Sequence, residues 1–373
     1  MIYFSTNNDL HFYLTEKIIS ELGLKHSEII LIIQKGSRNQ QSMDCNYSKI
    51  LLSDFPTMRM RRPLLLLNAM RHKKKIMASI DFKKEDTFIF FTEYELNNHC
   101  FAKKMKKVGG RVYLFDEGIG FYFGNSPYHT SDKFTKKEKI NRFRTDIPLK
   151  VLRIPAFNKI DQEGFSLTLR DMYIDAIFSS LRLPIKRSVP IWGYKHFDFI
   201  PQCFPSKDKA LFITNSMKLY DIEKEEFEIS ERILCQLQKH FKEVYLKIHP
   251  GDYVFKTNAF YFFSKFIRDN PDIKAIDNNC LAEEATAKYG IGLIVSSMST
   301  ALFNVSFMGC EPVFFYHLLP DRKNLGVYNF TLKELGYNFI KEISDITPFY
   351  HSGFNPEQLT YDKELYEYSQ LFN

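Results

Sequence analysis

Three short polar clusters in this sequence hold residue types suited to proton transfer and phosphate binding. The first is Asp116-Glu117-Gly118. A carboxylate at the tip of a buried strand is held rigidly and suits a general base, and the glycine after it lets another group approach the backbone closely. Strand alternation sends the two acids to opposite faces, so only one of them reaches a cleft, and the sequence does not say which. The second is His249-Pro250, with Lys247 two residues earlier on the same strand face. A histidine at a strand end can meet an anionic phosphate and donate a proton to it, and the proline suits the first turn of a helix. The third is Ser296-Ser297, with Ser299 and Thr300 close behind. Hydroxyls and backbone N–H groups at a helix start form a ready phosphate site. Thr214-Asn215-Ser216 is a weaker fourth cluster, lacking the glycines of a dinucleotide fingerprint or a P-loop, which argues against a Rossmann dehydrogenase and a P-loop NTPase. The pair Glu283-Glu284 can accept from ribose hydroxyls, or simply be the acidic first turn that a helix dipole favours. Singly, each cluster has an ordinary structural explanation, such as an acidic turn, a hydrogen-bonded histidine or a helix N-cap. Their order along the chain carries the argument.

The elements that must position these clusters follow a strand–helix rhythm. Residues 2–5 read as a strand, 10–22 as a helix, and 28–33 as the continuous apolar run of a parallel strand covered on both faces. Residues 86–91 are another strand, followed by a helix through 108 that Gly109-Gly110 closes, and 111–115 run directly into Asp116. A passage with Pro184, Pro190, Pro201 and Pro205 reads as a linker, because proline neither donates into a ladder nor continues a helix. The rhythm then resumes with strands at 210–213, 243–248, 272–276, 292–295 and 312–316, and helices at 225–239, 281–288 and 301–308. Such alternation gives parallel sheets with right-handed crossovers, and ligands of open α/β sheets bind beyond the carboxyl ends of the strands. The polar clusters all sit at strand ends. The expected division is an N-terminal domain over 1–190, a linker over 191–208, a C-terminal domain over 209–345, and a helical segment over 346–373 packing back toward the first domain.

A chain of 373 residues with 45% hydrophobic and 25% charged content has room for two cores. Its 36 Phe and 21 Tyr fit buried sheets. The six cysteines are scattered, with no C-x-x-C pair and no Cys/His group at zinc spacing. Together with a start that does not resemble a signal peptide and apolar runs too short for a membrane span, they predict a cytoplasmic protein. The net charge of +7 is concentrated in Arg59, Arg61, Arg62, Arg71 and Lys73–Lys75, and again in Lys103, Lys104, Lys106 and Lys107. Such stretches fit solvated helix faces, an anionic inner membrane leaflet met peripherally, or an anionic glycan acceptor. No recognition motif accompanies them, which disfavours nucleic acid.

The ordered set Asp116-Glu117-Gly118, His249-Pro250 and Ser296-Ser297 resembles the motifs of the bacterial sialyltransferase and polysialyltransferase families. The resemblance implies an α/β protein of two facing Rossmann-like domains (the GT-B fold) with parallel sheets and a cleft between them. It implies metal-independent, inverting transfer of sialic acid from CMP-sialic acid to a glycan acceptor of a surface polysaccharide, such as lipooligosaccharide or capsule. In that reading Asp116 or Glu117 is the base, His249 the acid or stabiliser at the CMP phosphate, and Ser296 and Ser297 hold that phosphate beside Lys247 and Pro250. Glu283 or Glu284 binds the ribose, Asn215 and Ser216 border the nucleotide, and Asn7, Asn8 and Gly118 lie on the acceptor side. No cofactor is implied, and the sequence carries no D-x-D motif of metal-held nucleotide sugars. A transferase using CMP-Kdo or a UDP-sugar, or a non-catalytic glycan-binding protein of capsule assembly, stays open as an alternative.

Overall fold

The computed structural model describes residues 1–34, 47–53, 55, 63–93, 95–118, 121–122, 146–159, 166–197, 204–215, 223–297, 299–319, 332 and 336–372. The chain divides into two compact units, Met1–Phe197 with Thr360–Asn373, and Asp198–Leu359.

In the first unit the described elements run β1 (Ile2–Thr6), α1 (Asp9–Glu21), β2 (Ile29–Gln34), β3 (Ser48–Leu52), α2 (Pro63–Ser79), β4 (Thr87–Phe90), α3 (Leu96–Val108), β5 (Arg111–Phe115), β6 (Ala156–Lys159), β7 (Ser166–Leu169), β8 (Ala176–Ser179) and β9 (Ile191–Gly193). The main sheet has the order β3-β2-β1-β4-β5-β8-β9 with every neighbouring pair parallel, while β6 and β7 form a separate antiparallel pair. Ile29, Leu31, Ile32 and Ile33 of β2 are all buried, as expected of a strand covered on both faces. Gly109 ends α3 at φ 86°, a left-handed conformation in which a side chain is strained. Strand order reverses between β1 and β4. The loops after those strands, carrying Asn7-Asn8 and Thr92-Glu93, therefore flank the topological switch point of this sheet.

The second unit runs β10 (Ser206–Ile213), α4 (Glu223–His240), β11 (Glu243–Lys247), α5 (Pro250–Phe255), α6 (Asn258–Asp269), β12 (Ile273–Ala275), α7 (Ala282–Tyr289), β13 (Ile291–Ser296), α8 (Thr300–Ser306) and β14 (Glu311–Phe314). Its sheet has the order β12-β11-β10-β13-β14, again parallel throughout. Phe212, Leu234, Leu237, Leu246, Phe263 and Val295 form the middle of its core. Here the switch point lies between β10 and β13, bordered by Thr214-Asn215 and Ser296-Ser297.

The strands that end at the polar clusters lie where the sequence pattern put them. The structure differs at the joins. Residues 191–208, expected as linker, contain β9 and the start of β10, and β9 pairs with β8 in the first sheet. Residues 346–359, expected with the tail, stay in the second unit, where Ile346 is buried in the core and the Ser352 N–H and hydroxyl donate to Glu311 Oε2. The last stretch is a 3-10 helix over Leu365–Leu371 lying on the first unit's sheet. Tyr368 stacks on Trp192 at 5.9 Å and Phe372 meets Tyr113 at 5.3 Å.

Candidate active site

The tip of β5 separates its two acids. Asp116 is 3% exposed, and both its carboxylate oxygens are occupied. Oδ2 accepts from Tyr122 Oη at 2.7 Å and Ser180 Oγ at 2.5 Å, while Oδ1 accepts from Tyr194 Oη at 3.0 Å and the Ser180 N–H at 3.2 Å. Burial pushes its carboxyl pKa up, and these hydrogen bonds work against that rise. Glu117 points the other way, as alternation requires. Its side chain is 22% exposed and its Oε2 lies 2.7 Å from His11 Nε2; no described residue bonds Oε1. Gly118 follows at φ 118°, a conformation that favours glycine, and its carbonyl accepts from the Phe121 N–H at 3.1 Å.

His11, on the first turn of α1, was not among the sequence candidates. Its side chain is 1% exposed and stacked on Phe91 at 5.1 Å. The ring is held by the two asparagines predicted for the acceptor side. Nδ1 lies 2.7 Å from Asn7 Oδ1, and Nε2 lies 3.2 Å from Asn8 Nδ2. Asn8 also caps α1, its Oδ1 accepting from the His11 N–H at 2.8 Å. The β1 loop, α1 and the β5 tip thus converge on a chain of contacts from Asn7 through His11 to Glu117. The local run Asn7-Asn8-x-x-His11 was visible in the sequence, but the partner lies 106 positions away, and no local pattern reports that.

In the second unit His249 caps α5. Its Nδ1 accepts from the Gly251 N–H at 3.1 Å, so the neutral ring carries its proton on Nε2, while its backbone N–H donates to Thr214 Oγ1 at 2.7 Å. Pro250 occupies the first turn of α5. The Thr214 N–H donates to the Lys247 carbonyl at 3.0 Å, which ties the ends of β10 and β11 together. Asn215 Nδ2 donates to Ser297 Oγ at 3.1 Å, and that hydroxyl donates to Glu226 Oε1 at 3.3 Å. Ser296 and Ser297 are both fully buried, and Ser296 Oγ has no partner among the described residues. Ser216 lies outside the described residues. Lys247, buried, has its Nζ 3.4 Å from the Asp277 carbonyl. Glu283 is also buried and accepts from Asn304 Nδ2 at 2.7 Å. Burial raises its pKa, while Asn304 and the Lys247 ammonium act in the opposite sense. Glu284 is exposed and its Oε2 accepts from the Leu281 N–H at 2.8 Å, so it serves as a helix cap. Glu226 and Asn304, missed in the sequence, are ordinary helix residues until the fold sets them beside Ser297 and Glu283. Among the described residues no group of His, Cys, Asp and Glu could hold a metal ion.

Two Rossmann-like units with parallel sheets and polar residues gathered at the strand ends have the build of GT-B glycosyltransferases. The UDP-GlcNAc 2-epimerase of Methanocaldococcus jannaschii shares this fold at 11% identity, with a TM-score of 0.53 over 99% of this chain and 98% of that one. UGT2 of Phytolacca americana, solved with UDP-2fluoro-glucose and pterostilbene, shares it at 10% identity, with a TM-score of 0.51 over 92% and 88%. No curated protein sequence matches. The model of the alpha-2,8-polysialyltransferase family matches residues 56–308, more than half of the chain, and the chain belongs to that family. Glycosyl transfer is therefore its class of chemistry.

Proposed function

We propose that the protein transfers sialic acid from CMP-sialic acid to a sialylated or otherwise anionic surface glycan, with inversion and without a metal ion. The observation that carries this reading is the contrast at the β5 tip. Asp116 is buried with both oxygens occupied, whereas Glu117 is partly exposed and leaves Oε1 unbonded among the described residues. Glu117 is the base: its Oε1 takes the proton of the acceptor hydroxyl as that oxygen attacks the anomeric carbon. His249 meets the CMP phosphate, supported by its Nε2-protonated tautomer, and offsets the charge that develops as the phosphate leaves. Lys247 adds positive charge beside it, Glu283 binds the ribose, and Asn215 with Ser297 shapes the phosphate loop. Family membership supports the donor. CMP is already a fair leaving group, so removing one proton and stabilising phosphate charge suffices.

Calorimetry of CMP binding without metal tests the donor half, comparing the native protein with His249→Ala. Binding that is lost in the variant, with UDP and GDP ignored, supports the reading. No CMP binding at millimolar concentration overturns it.

A further inference from the structure

We propose that His11 is a positioning residue for Glu117, fixing the carboxylate through Oε2 so that Oε1 receives the acceptor proton. The inference rests on the assignment of Glu117 as base. Burial divides the roles within the pair. The His11 side chain, 1% exposed, cannot touch an acceptor, whereas that of Glu117, 22% exposed, can.

The contacts then constrain the protons. Asn8 is fixed in orientation, because its Oδ1 takes the His11 N–H. Asn7 presents an amide oxygen to Nδ1 at 2.7 Å, and an amide oxygen only accepts, so Nδ1 carries a proton. Nε2 and Glu117 Oε2, 2.7 Å apart, are both acceptors unless a proton lies between them, so that line holds one as well. With this proton on Nε2 the pair is an imidazolium and a carboxylate. With it on Oε2, Asn8 Nδ2 at 3.2 Å supports the neutral ring. The first arrangement makes Glu117 a base. In the transfer step the acceptor O–H bond breaks and its proton goes to Oε1. The acceptor oxygen bonds to the anomeric carbon, and the bond from that carbon to the phosphate oxygen breaks, its electron pair leaving on CMP. The His11 proton stays in place throughout. Stacking on Phe91 and the contacts of its two nitrogens with Asn7 and Glu117 keep the ring from swinging away.

The test uses the full chain with CMP-sialic acid and a short α2,8-linked sialic acid oligomer. His11→Phe keeps the stacking on Phe91 and removes the donor. The expected loss in kcat is about tenfold or more, a part of the roughly 10²–10⁴-fold that a positioned base supplies, with donor KM and CMP affinity unchanged. In the Glu117→Gln background His11→Phe costs nothing further, because its effect runs through that carboxylate. A kcat equal to that of the native protein, or a loss that multiplies with that of Glu117→Gln, overturns the proposal. Glu117→Gln at native activity would instead remove the base assignment itself, so the two failures are distinguishable. Should His11→Phe not fold, the imidazole ¹⁵N signals of the native protein decide. The proposal requires a protonated Nδ1 and an Nε2 signal that shifts in Glu117→Gln; an Nε2 signal indifferent to that change overturns it.

Discussion

Adjacent acids at the tip of β5 have opposite environments, and opposite consequences follow from removing them. Asp116→Ala leaves Tyr122, Tyr194 and Ser180 as buried donors without their acceptor, so it lowers stability by about 3 kcal/mol or more, read from urea unfolding. Glu117→Gln removes a single partner, the His11 ring, so it lowers the urea midpoint less than Asp116→Ala does, while kcat falls by about 10²–10⁴-fold. A second prediction concerns two histidines outside the site. Burial lowers the pKa of His99 and of His196 from 6.5 to about 4. Between those values the unfolded chain binds protons that the folded chain refuses, so stability falls as pH drops from 6.5 toward 4 and does not change further below that on their account. Thermal melting across this range checks it: His99→Gln flattens the acid limb, and an unchanged slope counts against the assignment.

The site's loops are placed by the sheet order of each unit. Asn7 and Asn8 connect to Glu117 through His11 because β1 and β4 adjoin at the switch point and β5 lies next in the sheet. The tail is the other element with a clear role, since Tyr368 donates to the Gly193 carbonyl at 2.8 Å and Phe372 packs on Tyr113 and Phe178. Removing residues 360–373 uncovers those rings, and burying one such side chain contributes about 1.5–3 kcal/mol. The truncated protein is therefore expected to melt lower, with CMP affinity retained because the residues proposed to meet the nucleotide lie in the second unit. Equal melting temperatures would show that the tail contributes nothing.

At the scale of the whole molecule, the chain has a charge of +7 and belongs to a family named for building an anionic polymer. Exposed charges attract such an acceptor over a range that salt screens. Raising the ionic strength is expected to raise KM for a sialic acid oligomer while changing kcat little, and steady-state kinetics at two salt concentrations measure it. No helix among the described residues is long and apolar enough to cross a membrane.

Local pattern alone determined the strand–helix alternation, the parallel character of both sheets and the placing of Asp116, His249 and Ser296 at strand ends. Those features follow from side-chain period and from the conformations that glycine and proline permit, and both are properties of neighbouring residues. Which of Asp116 and Glu117 is buried and which partly exposed was not local. It depended on Tyr122, Ser180 and Tyr194 surrounding one acid and on His11 reaching the other, and those groups come together only when the sheet forms. Glu284 similarly turned out to cap its own helix while Glu283 is buried against Asn304, a difference between neighbours that burial decides. Contacts between residues distant in the chain were decided by tertiary structure, because only packing sets which groups lose water and which partners replace it.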